Sequence, residues 1–187
     1  RSWWSLLLGS REEVYEMTLD QLNQIMPHAN SRANLFLDPL NSAMDEFDIN
    51  TPARQAAFLS QIGHESGQLY YVEEIASGRA YEGRIDLGNT QPGDGVRYKG
   101  RALIQITGRL NYAACMMALD IDCIEHPELL ELPENACRAS AWWWKNHGLN
   151  ELADAGNFLR ITKRINGGTN GLADRQSLYE VAKQVLA

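Results

Sequence analysis

Apolar residues recur at helical spacing along most of the chain from Thr18 onward. Thr18 is expected to cap a helix that ends near Pro27, and Thr51 followed by Pro52 marks the start of another helix. Apolar side chains at helix-like spacing also fill residues 34–47, at Leu35, Leu40, Met44 and Phe47. Further helices are predicted at residues 109–119, 133–146, 157–165 and 172–186. The pattern therefore indicates a mainly α protein.

Two segments depart from the helical pattern. Residues 76–101 contain seven glycines or prolines, which predicts a long loop or a small irregular β region; such segments are usually functional or disordered. Residues 102–107 would, as an extended strand, place Leu103, Gln105 and Thr107 on one face. We expect Gln105 and Thr107 to offer polar groups to a cleft, or else to belong to a partly exposed edge strand.

The length of 187 residues fits one globular domain. Residues 1–17 differ in character from the rest and are treated as an N-terminal extension of unknown role, with residues 18–187 as the domain itself. The early WWSLLL run is too short to span a bilayer and lacks signal-peptide architecture. We therefore expect neither stable membrane insertion nor secretion by the general route.

Charge and cysteine content exclude several classes of protein. A formal charge of −7 argues against nucleic-acid binding, although residues 79–109 carry six basic residues against three acids and could meet an anionic or polar substrate, or form a solvated loop. The three cysteines, Cys115, Cys123 and Cys137, cannot form a complete set of disulfides. No HExxH or comparable ligand spacing is present, so no metal site is expected.

Glu65 is the first candidate for chemistry. Phe58, Ile62 and Glu65 follow one another on a helical stripe, so the carboxyl group continues an apolar face. A carboxyl group in dry surroundings has a raised pKa, which suits the general acid of a glycosidase. The alternative is a structural carboxylate that is bound to a buried arginine or to backbone donors.

Other candidates lie further along the chain. Glu73 and Glu74 follow a possible helix break at Gly67 and could supply the second carboxylate that a glycosidase needs, or form a solvated face. Asn166 and Arg175 flank a glycine-rich stretch that is typical of a helix C-cap, from which both could reach a groove. In the run of tryptophans at 142–144, either two pack inside and one faces a groove, or all three are core residues.

Four motifs occur in a characteristic order: FLSQIGHESG, YKGRALIQITGRLNY, the AWWW helix and INGGTNGLADR. Together they resemble glycoside hydrolase family nineteen, the chitinase-like family that includes many bacteriophage endolysins. The resemblance covers residues 18–187, and the spelling QPGDGVRYKGRALIQITGR is similar to the endolysin branch. It implies a lysozyme-like, two-lobed helical fold with a small β region and a central substrate cleft.

The resemblance also implies roles for individual residues. Glu65 would be the general acid, Glu74 the general base with Glu73 as its competitor, and Thr107 would help to hold the attacking water. Residues that would line the groove or support the acids are Tyr98, Gln105, Asn111, Asn166 and Arg175. The family works by inversion and needs no metal or cofactor. Ala102 stands where many members have glycine, a mild change if its φ is negative.

The function expected from this resemblance is that of a phage endolysin. It would hydrolyse β-1,4 bonds in peptidoglycan glycan strands as a monomer, waiting in the host cytoplasm before lysis and then acting on the periplasmic wall. Three alternatives stay open: a chitinase with the same machinery, a lytic transglycosylase, and a noncatalytic glycan-binding module.

Overall fold

A computed structural model describes residues 16–187, and most of this part of the chain is helical. Its α-helices are α1 (Leu19–Ile25), α2 (Arg32–Glu46), α3 (Pro52–Glu65), α4 (Asp94–Arg97), α5 (Arg109–Leu119), α6 (Pro133–Asn146), α7 (Leu149–Asp154), α8 (Phe158–Asn166) and α9 (Leu172–Leu186). Short 3-10 turns lie at Pro27–Ala29, Arg79–Tyr81, Ile85–Leu87 and Pro127–Glu131. The mainly α fold predicted from the pattern is confirmed.

The helix starts follow from local side-chain chemistry. The Thr18 hydroxyl accepts a hydrogen bond from the Gln21 N–H at 3.2 Å, and the Gln21 side chain accepts one from the Thr18 N–H at 2.9 Å. The Thr51 hydroxyl likewise accepts from the Arg54 N–H, with Pro52 in the first helical position. These reciprocal bonds satisfy N–H groups that have no partner inside a helix.

The predicted extension of residues 1–17 lies outside the described residues except for its last two. Met17 is buried, and its backbone N–H and C=O both pair with the Asn41 side chain. Met17 thus packs with the helical body, and the domain boundary at residue 18 stays a prediction.

Helix α3 lies at the centre of the helical body. Residues 55–63 are all buried, and the helix packs mainly against α9 and also against α7, while α2 packs against α6. The Phe58 ring meets the Trp144 ring edge-on, with centroids 5.3 Å apart. Burial of this helix on nearly all sides encloses polar side chains. Ser60 and Gln61 have internal partners, whereas Gln55 Oε1 has none within residues 16–187.

One apolar position of α2 faces solvent, contrary to the predicted stripe. Leu35 is 64% exposed, whereas Phe36, Leu40 and Met44 are buried. Successive helical residues are about 100° apart, so Phe36 takes the inward position and leaves Leu35 outside.

One tryptophan of the run lies in the core, and the other two pack against it. Trp144 is fully buried and its indole N–H donates to the Asn150 side chain at 2.9 Å. Trp142 and Trp143 are half-buried, and the Trp143 ring stacks on His147 with centroids 3.8 Å apart.

The strand predicted at residues 102–107 is wrong, because the chain turns back on itself there. Arg101 and Ile106 exchange backbone hydrogen bonds of 3.1 and 2.7 Å, which closes a tight turn over residues 102–105. Ala102 has φ of +77°, so the negative torsion on which a mild effect depended is absent. The N–H groups of Leu103 and Ile104 both donate to the buried Ser140 hydroxyl of α6.

The irregular region predicted at residues 76–101 is confirmed, with short helical turns and one antiparallel bridge between Glu73 and Arg101. All three cysteines are buried and free. Across residues 16–187, no cluster of three or more potential ligand side chains could hold a metal ion. No helix in the same range combines the length and apolarity needed to cross a membrane.

Candidate active site

Glu65 is the last residue of α3, and its environment differs from the dry apolar face expected from the sequence. Its Oε1 atom is buried 2.6 Å from Nη2 of Arg175, without the N–H alignment of a good hydrogen bond. The side chain as a whole is 24% exposed, and Oε2 makes no hydrogen bond within residues 16–187. The expected apolar setting is therefore wrong, since α9 packs against α3 and places a guanidinium there. One edge of the carboxyl group still reaches solvent.

Arg175 is held by contacts from three directions. It is 1% exposed, its Nη1 donates to Gln61 Oε1 at 2.7 Å, and its Nε donates to the Asn170 carbonyl at 3.0 Å. The Gln61 amide donates in turn to Thr162 Oγ1 of α8 at 2.9 Å. Arg175 therefore supports Glu65 from inside and does not line a groove.

Gln61 and Thr162 are site residues that sequence reasoning missed. Gln61 stands one helical turn before Glu65 on α3 and is fully buried. A glutamine on an otherwise apolar face, four residues before a carboxylate, is the signal that could have found it.

A second contact between α3 and α9 lies beside the first. His64 Nδ1 is 2.7 Å from Asp174 Oδ2, so two consecutive residues of α3 contact two consecutive residues of α9. Gly171, with φ of +72°, packs directly under the imidazole ring, where a Cβ atom would lie 2.2 Å from His64 Cε1. The glycine-rich motif thus allows the start of α9 to approach the end of α3 closely.

Asn166 ends α8 and is half-buried. Its Oδ1 accepts a hydrogen bond from the Asn170 N–H at 3.2 Å, and Gly167 follows with φ of +79°. The side chain therefore caps its own turn. Its predicted contact with substrate stays a prediction.

Glu74 is fixed by hydrogen bonds to both carboxylate oxygens. Oε1 accepts from the Gly100 N–H at 2.6 Å, and Oε2 accepts from the Tyr81 hydroxyl at 3.0 Å. Burial, together with the bond to Glu74, raises the pKa of the Tyr81 hydroxyl, which keeps it a donor. Tyr81 was not among the predicted site residues, and nothing in its sequence surroundings marks it.

Glu73, the competitor for the role of base, is held more loosely. Its side chain is 41% exposed, and its oxygens lie 3.5 Å from Lys99 Nζ and 3.8 Å from Arg101 Nη2. Exposed contacts of this length contribute little free energy. The two neighbouring glutamates therefore differ sharply, and Glu74 has the defined orientation that a catalytic group requires.

Gln105 and Thr107 lie close to the backbone that anchors Glu74. Gln105 is exposed, and its Oε1 would be 2.6 Å from a Cβ atom placed on Gly100. Thr107 is half-buried, and its carbonyl accepts a hydrogen bond from the exposed Asn111 side chain at 2.8 Å. Gly100 thus allows Gln105 to lie against the same short segment that binds Glu74.

Tyr98 is 1% exposed, and it contributes to the lining of a depression of about 480 Å³ together with Arg97 and Arg109. Its predicted role toward substrate or the acids stays a prediction. Its hydroxyl donates to the Ile124 carbonyl at 2.9 Å and accepts from Arg97 Nε at 3.1 Å. The Arg109 guanidinium lies 5.0 Å from the ring centroid and binds the buried Asp94 carboxylate with both Nε and Nη2.

A tight turn joins the two candidate carboxylates. The Ser66 carbonyl accepts from the N–H groups of Tyr70 and Tyr71, and residues 67–69 all have positive φ. The chain then pairs with the 100–102 segment, since the Val72 carbonyl accepts from the Ala102 N–H. Glu65 and Glu74 therefore stand on opposite sides of one reversal of the chain. Two depressions on the described part of the chain, of about 420 and 480 Å³, lie elsewhere, and neither Glu65 nor Glu74 lines them.

Comparison with known proteins gives a consistent result, although no family model matches the chain. The chain is 31% identical over 188 residues to a glycosyl hydrolase family 19 domain-containing protein of Haemophilus influenzae, covering 84% of this chain and 90% of that protein. It is 39% identical over 114 residues to an endochitinase of Arabidopsis thaliana, covering 60% of this chain but 39% of that protein.

Solved structures share the fold. Chitinase C from Streptomyces griseus superimposes with a TM-score of 0.75 at 23% identity, covering 90% of this chain and 76% of the other. A bacterial family 19 chitinase superimposes with a TM-score of 0.76 at 24% identity, covering 91% and 94%. The lysozyme-like helical fold expected from the motifs is confirmed.

Proposed function

This chain belongs to glycoside hydrolase family 19 and is a glycosidase, and from that premise we propose that it hydrolyses β-1,4 bonds in the glycan strands of bacterial peptidoglycan. The observation that carries the proposal is the placement of Glu65 and Glu74 on either side of one turn, each held by its own partners. Two separately oriented carboxyl groups are what glycoside hydrolysis requires.

Glu65 acts as the general acid in this proposal. Arg175 contacts Oε1, so the proton to be delivered belongs on Oε2, which has no partner among residues 16–187. As the proton moves to the departing glycosidic oxygen, negative charge develops on the carboxyl group. The fixed guanidinium stabilises that charge, which favours the transition state over the ground state.

Glu74 acts as the general base. Each of its oxygens already accepts one hydrogen bond and retains lone-pair capacity for a water molecule. The bonds from Gly100 and Tyr81 fix the direction from which that water is held. Inversion places the water on the sugar face opposite the acid, with the two carboxyl groups roughly 6.5–9.5 Å apart. Thr107 and Gln105 are proposed to contact the water and the substrate.

Chitin is the second candidate substrate, because relatives named as endochitinases are 30–39% identical to this chain. Support for peptidoglycan comes from the endolysin-like motif QPGDGVRYKGRALIQITGR and from the excess of basic over acidic residues at 79–109, although Arg84, Arg101 and Arg109 are bound to carboxylates of the protein. Chitin is uncharged, whereas peptidoglycan carries peptide carboxylates.

The test compares purified peptidoglycan sacculi with chitin oligosaccharides under identical conditions. We expect release of reducing ends from sacculi, with Glu65→Gln and Glu74→Gln each lowering turnover by about 100-fold or more and Glu73→Gln retaining most of it. Cleavage of chitin alone would establish the chitinase alternative. Binding to sacculi with no cleavage of either polymer would indicate a glycan-binding module. A dead Glu73→Gln beside a healthy Glu74→Gln would reassign the base.

The proposed setting is phage-induced lysis, with a monomeric enzyme held in the host cytoplasm until it reaches the periplasmic wall. This proposal is supported by the endolysin-like motif spelling. Expression in a bacterium, with and without a membrane-permeabilising protein, tests it. Lysis that requires permeabilisation supports the proposal, whereas absence of lysis under both conditions contradicts it.

A further inference from the structure

The outer face of α8 forms a basic surface on an acidic protein. Arg160, Lys163 and Arg164 are exposed on this helix, which contains no acidic residue, although the chain carries a formal charge of −7. The inner face of the same helix, with Phe158, Ile161 and Thr162, is buried. We call the exposed side, Leu159, Arg160, Lys163 and Arg164, the α8 basic face.

Two of these charges have no internal partner. Within residues 16–187, neither Arg160 nor Lys163 makes a side-chain hydrogen bond or an ion pair. Most arginines of the described chain are instead paired, as Arg54 is with Asp154. Unpaired neighbouring charges of one sign repel one another, so their presence on one helix face is explained if an external anion binds there.

Nearby acids do not neutralise the α8 basic face. Asp154, in the adjoining helix α7, is engaged by Arg54 through both carboxylate oxygens. Glu151 lies near Arg164, because both would approach a Cβ atom placed on Gly148. The charge of Arg164 is therefore partly balanced, while those of Arg160 and Lys163 are not.

The face is also concave. A depression of about 330 Å³ is lined by Asn157, Leu159, Arg160 and Lys163. Leu159 is 45% exposed and offers an apolar contact beside the two cations. Arg160 offers a guanidinium group, Lys163 an ammonium group and Leu159 a small apolar surface. This combination matches a short peptide that carries carboxylates and methyl groups.

We propose that the α8 basic face binds the carboxylate-bearing stem peptides of peptidoglycan and so selects this polymer over uncharged chitin. The inference rests on the proposed function and names the part of the substrate that lies outside the catalytic carboxylates. Helix α8 is connected to one of them, Glu65, since Thr162 on its inner face binds Gln61, which binds Arg175, the partner of Glu65. A glycan strand whose stem peptide binds at α8 is thereby placed at a fixed position relative to Glu65.

The test measures binding apart from turnover. In a Glu65→Gln background, which leaves sacculi intact, Arg160→Gln/Lys163→Gln is compared with Lys145→Gln/Lys183→Gln, a control with the same change in charge at other exposed sites. Co-sedimentation with sacculi is measured at low and high salt. We expect about 3- to 10-fold weaker binding for the α8 variant at low salt, little change for the control, and convergence at high salt.

Treatment of the sacculi identifies the ligand. Soluble stem peptides, released from the wall with an amidase and added as competitor, should abolish the difference between the α8 variant and the parent. Acid extraction of phosphate polymers should leave that difference intact. Equal binding by the α8 variant and the control, or a difference that disappears on phosphate removal, would overturn the proposal.

Measurements of cleavage distinguish failure of the proposed function from failure of the proposed binding at α8. With Glu65 restored, the α8 variant should cleave uncharged chitin oligosaccharides at the parent rate if that substrate is used at all. A protein that cleaves only chitin, but still binds sacculi through α8, would reject peptidoglycan hydrolysis without rejecting the docking surface.

Discussion

Replacement of Gly171 by alanine should disrupt the junction between α3 and α9. The added Cβ atom would lie 2.2 Å from His64 Cε1 and 2.3 Å from Nε2, where carbon contacts normally lie at 3.5–4.0 Å. The ring must therefore move by more than about 1 Å. Such a shift breaks the 2.7 Å contact between His64 Nδ1 and Asp174 Oδ2.

The expected loss combines three contributions. An alanine at φ of +72° costs about 1 kcal/mol relative to glycine. Loss of the partly exposed His64–Asp174 pair costs at most about 1 kcal/mol. Displacement of the ring from its packed position adds about 1 kcal/mol. Gly171→Ala should therefore lower the free energy of unfolding by about 2–3 kcal/mol.

Gly156→Ala is the matched control, because Gly156 has φ of +68° and nothing within 4 Å of an added Cβ atom. Gly156→Ala should lower the free energy of unfolding only by the backbone contribution of about 1 kcal/mol. Urea unfolding of both variants gives the comparison. The double variant Gly171→Ala/His64→Ala should recover about 1–2 kcal/mol relative to additivity, since the His64–Asp174 contact is lost only once and no ring remains to be displaced. Equal losses for the two glycine variants, or additivity in the double variant, would refute the reasoning.

Two further predictions concern stability. Arg109 holds the pKa of the buried Asp94 carboxyl below its usual range, so this stabilisation is present above about pH 4 and is lost as pH falls through the folded-state pKa. Asp94→Asn should therefore cost about 2–3 kcal/mol at pH 7 and flatten the acid limb of a stability–pH curve, while the exposed Asp154→Asn should cost under about 1 kcal/mol. Unchanged acid sensitivity in Asp94→Asn would contradict this. Ser140→Ala leaves two backbone N–H groups of the 102–105 turn unpaired and should lower the free energy of unfolding, measured in urea, by about 2–4 kcal/mol. The Ser60 hydroxyl bonds only within its own helix, so Ser60→Ala should cost much less. Similar losses for the two variants would contradict this prediction.

Helix starts were predictable from sequence because their causes are local. Thr18 and Thr51 bind N–H groups three residues away, so the sequence contains both partners within one helical turn. Leu35 shows the limit of the same reasoning, since several apolar phases were available and packing against other helices selected the one that includes Phe36.

The turn at residues 102–105 could not be predicted because its stabilising partner is remote. Ser140, in α6, lies 37 positions from Leu103 and accepts both turn N–H groups. The alternating polarity of this segment favours a strand when local pattern alone is considered. Long-range hydrogen bonding outweighs that preference here.

The sequence names candidate residues for the site, but it does not reveal the surroundings of their side chains. Glu65 and Arg175 were both named from their motifs, but their contact depends on the packing of α9 against α3, which no local pattern reveals. The same holds for Tyr81, which reaches Glu74 through the fold of an irregular segment. Supporting residues are hard to foresee because their role depends on partners that are distant in sequence.

The central claim is that Glu65 delivers a proton while a water held by Glu74 attacks the sugar. Digestion of peptidoglycan in water enriched in heavy oxygen, followed by mass spectrometry of the products, tests this claim most directly. We expect one heavy oxygen at each new reducing end for the wild-type protein and for Glu73→Gln, and about 100-fold less of these products, or still less, for Glu65→Gln. Anhydro-sugar ends without heavy oxygen, or labelled products at the normal rate from Glu65→Gln, would contradict it.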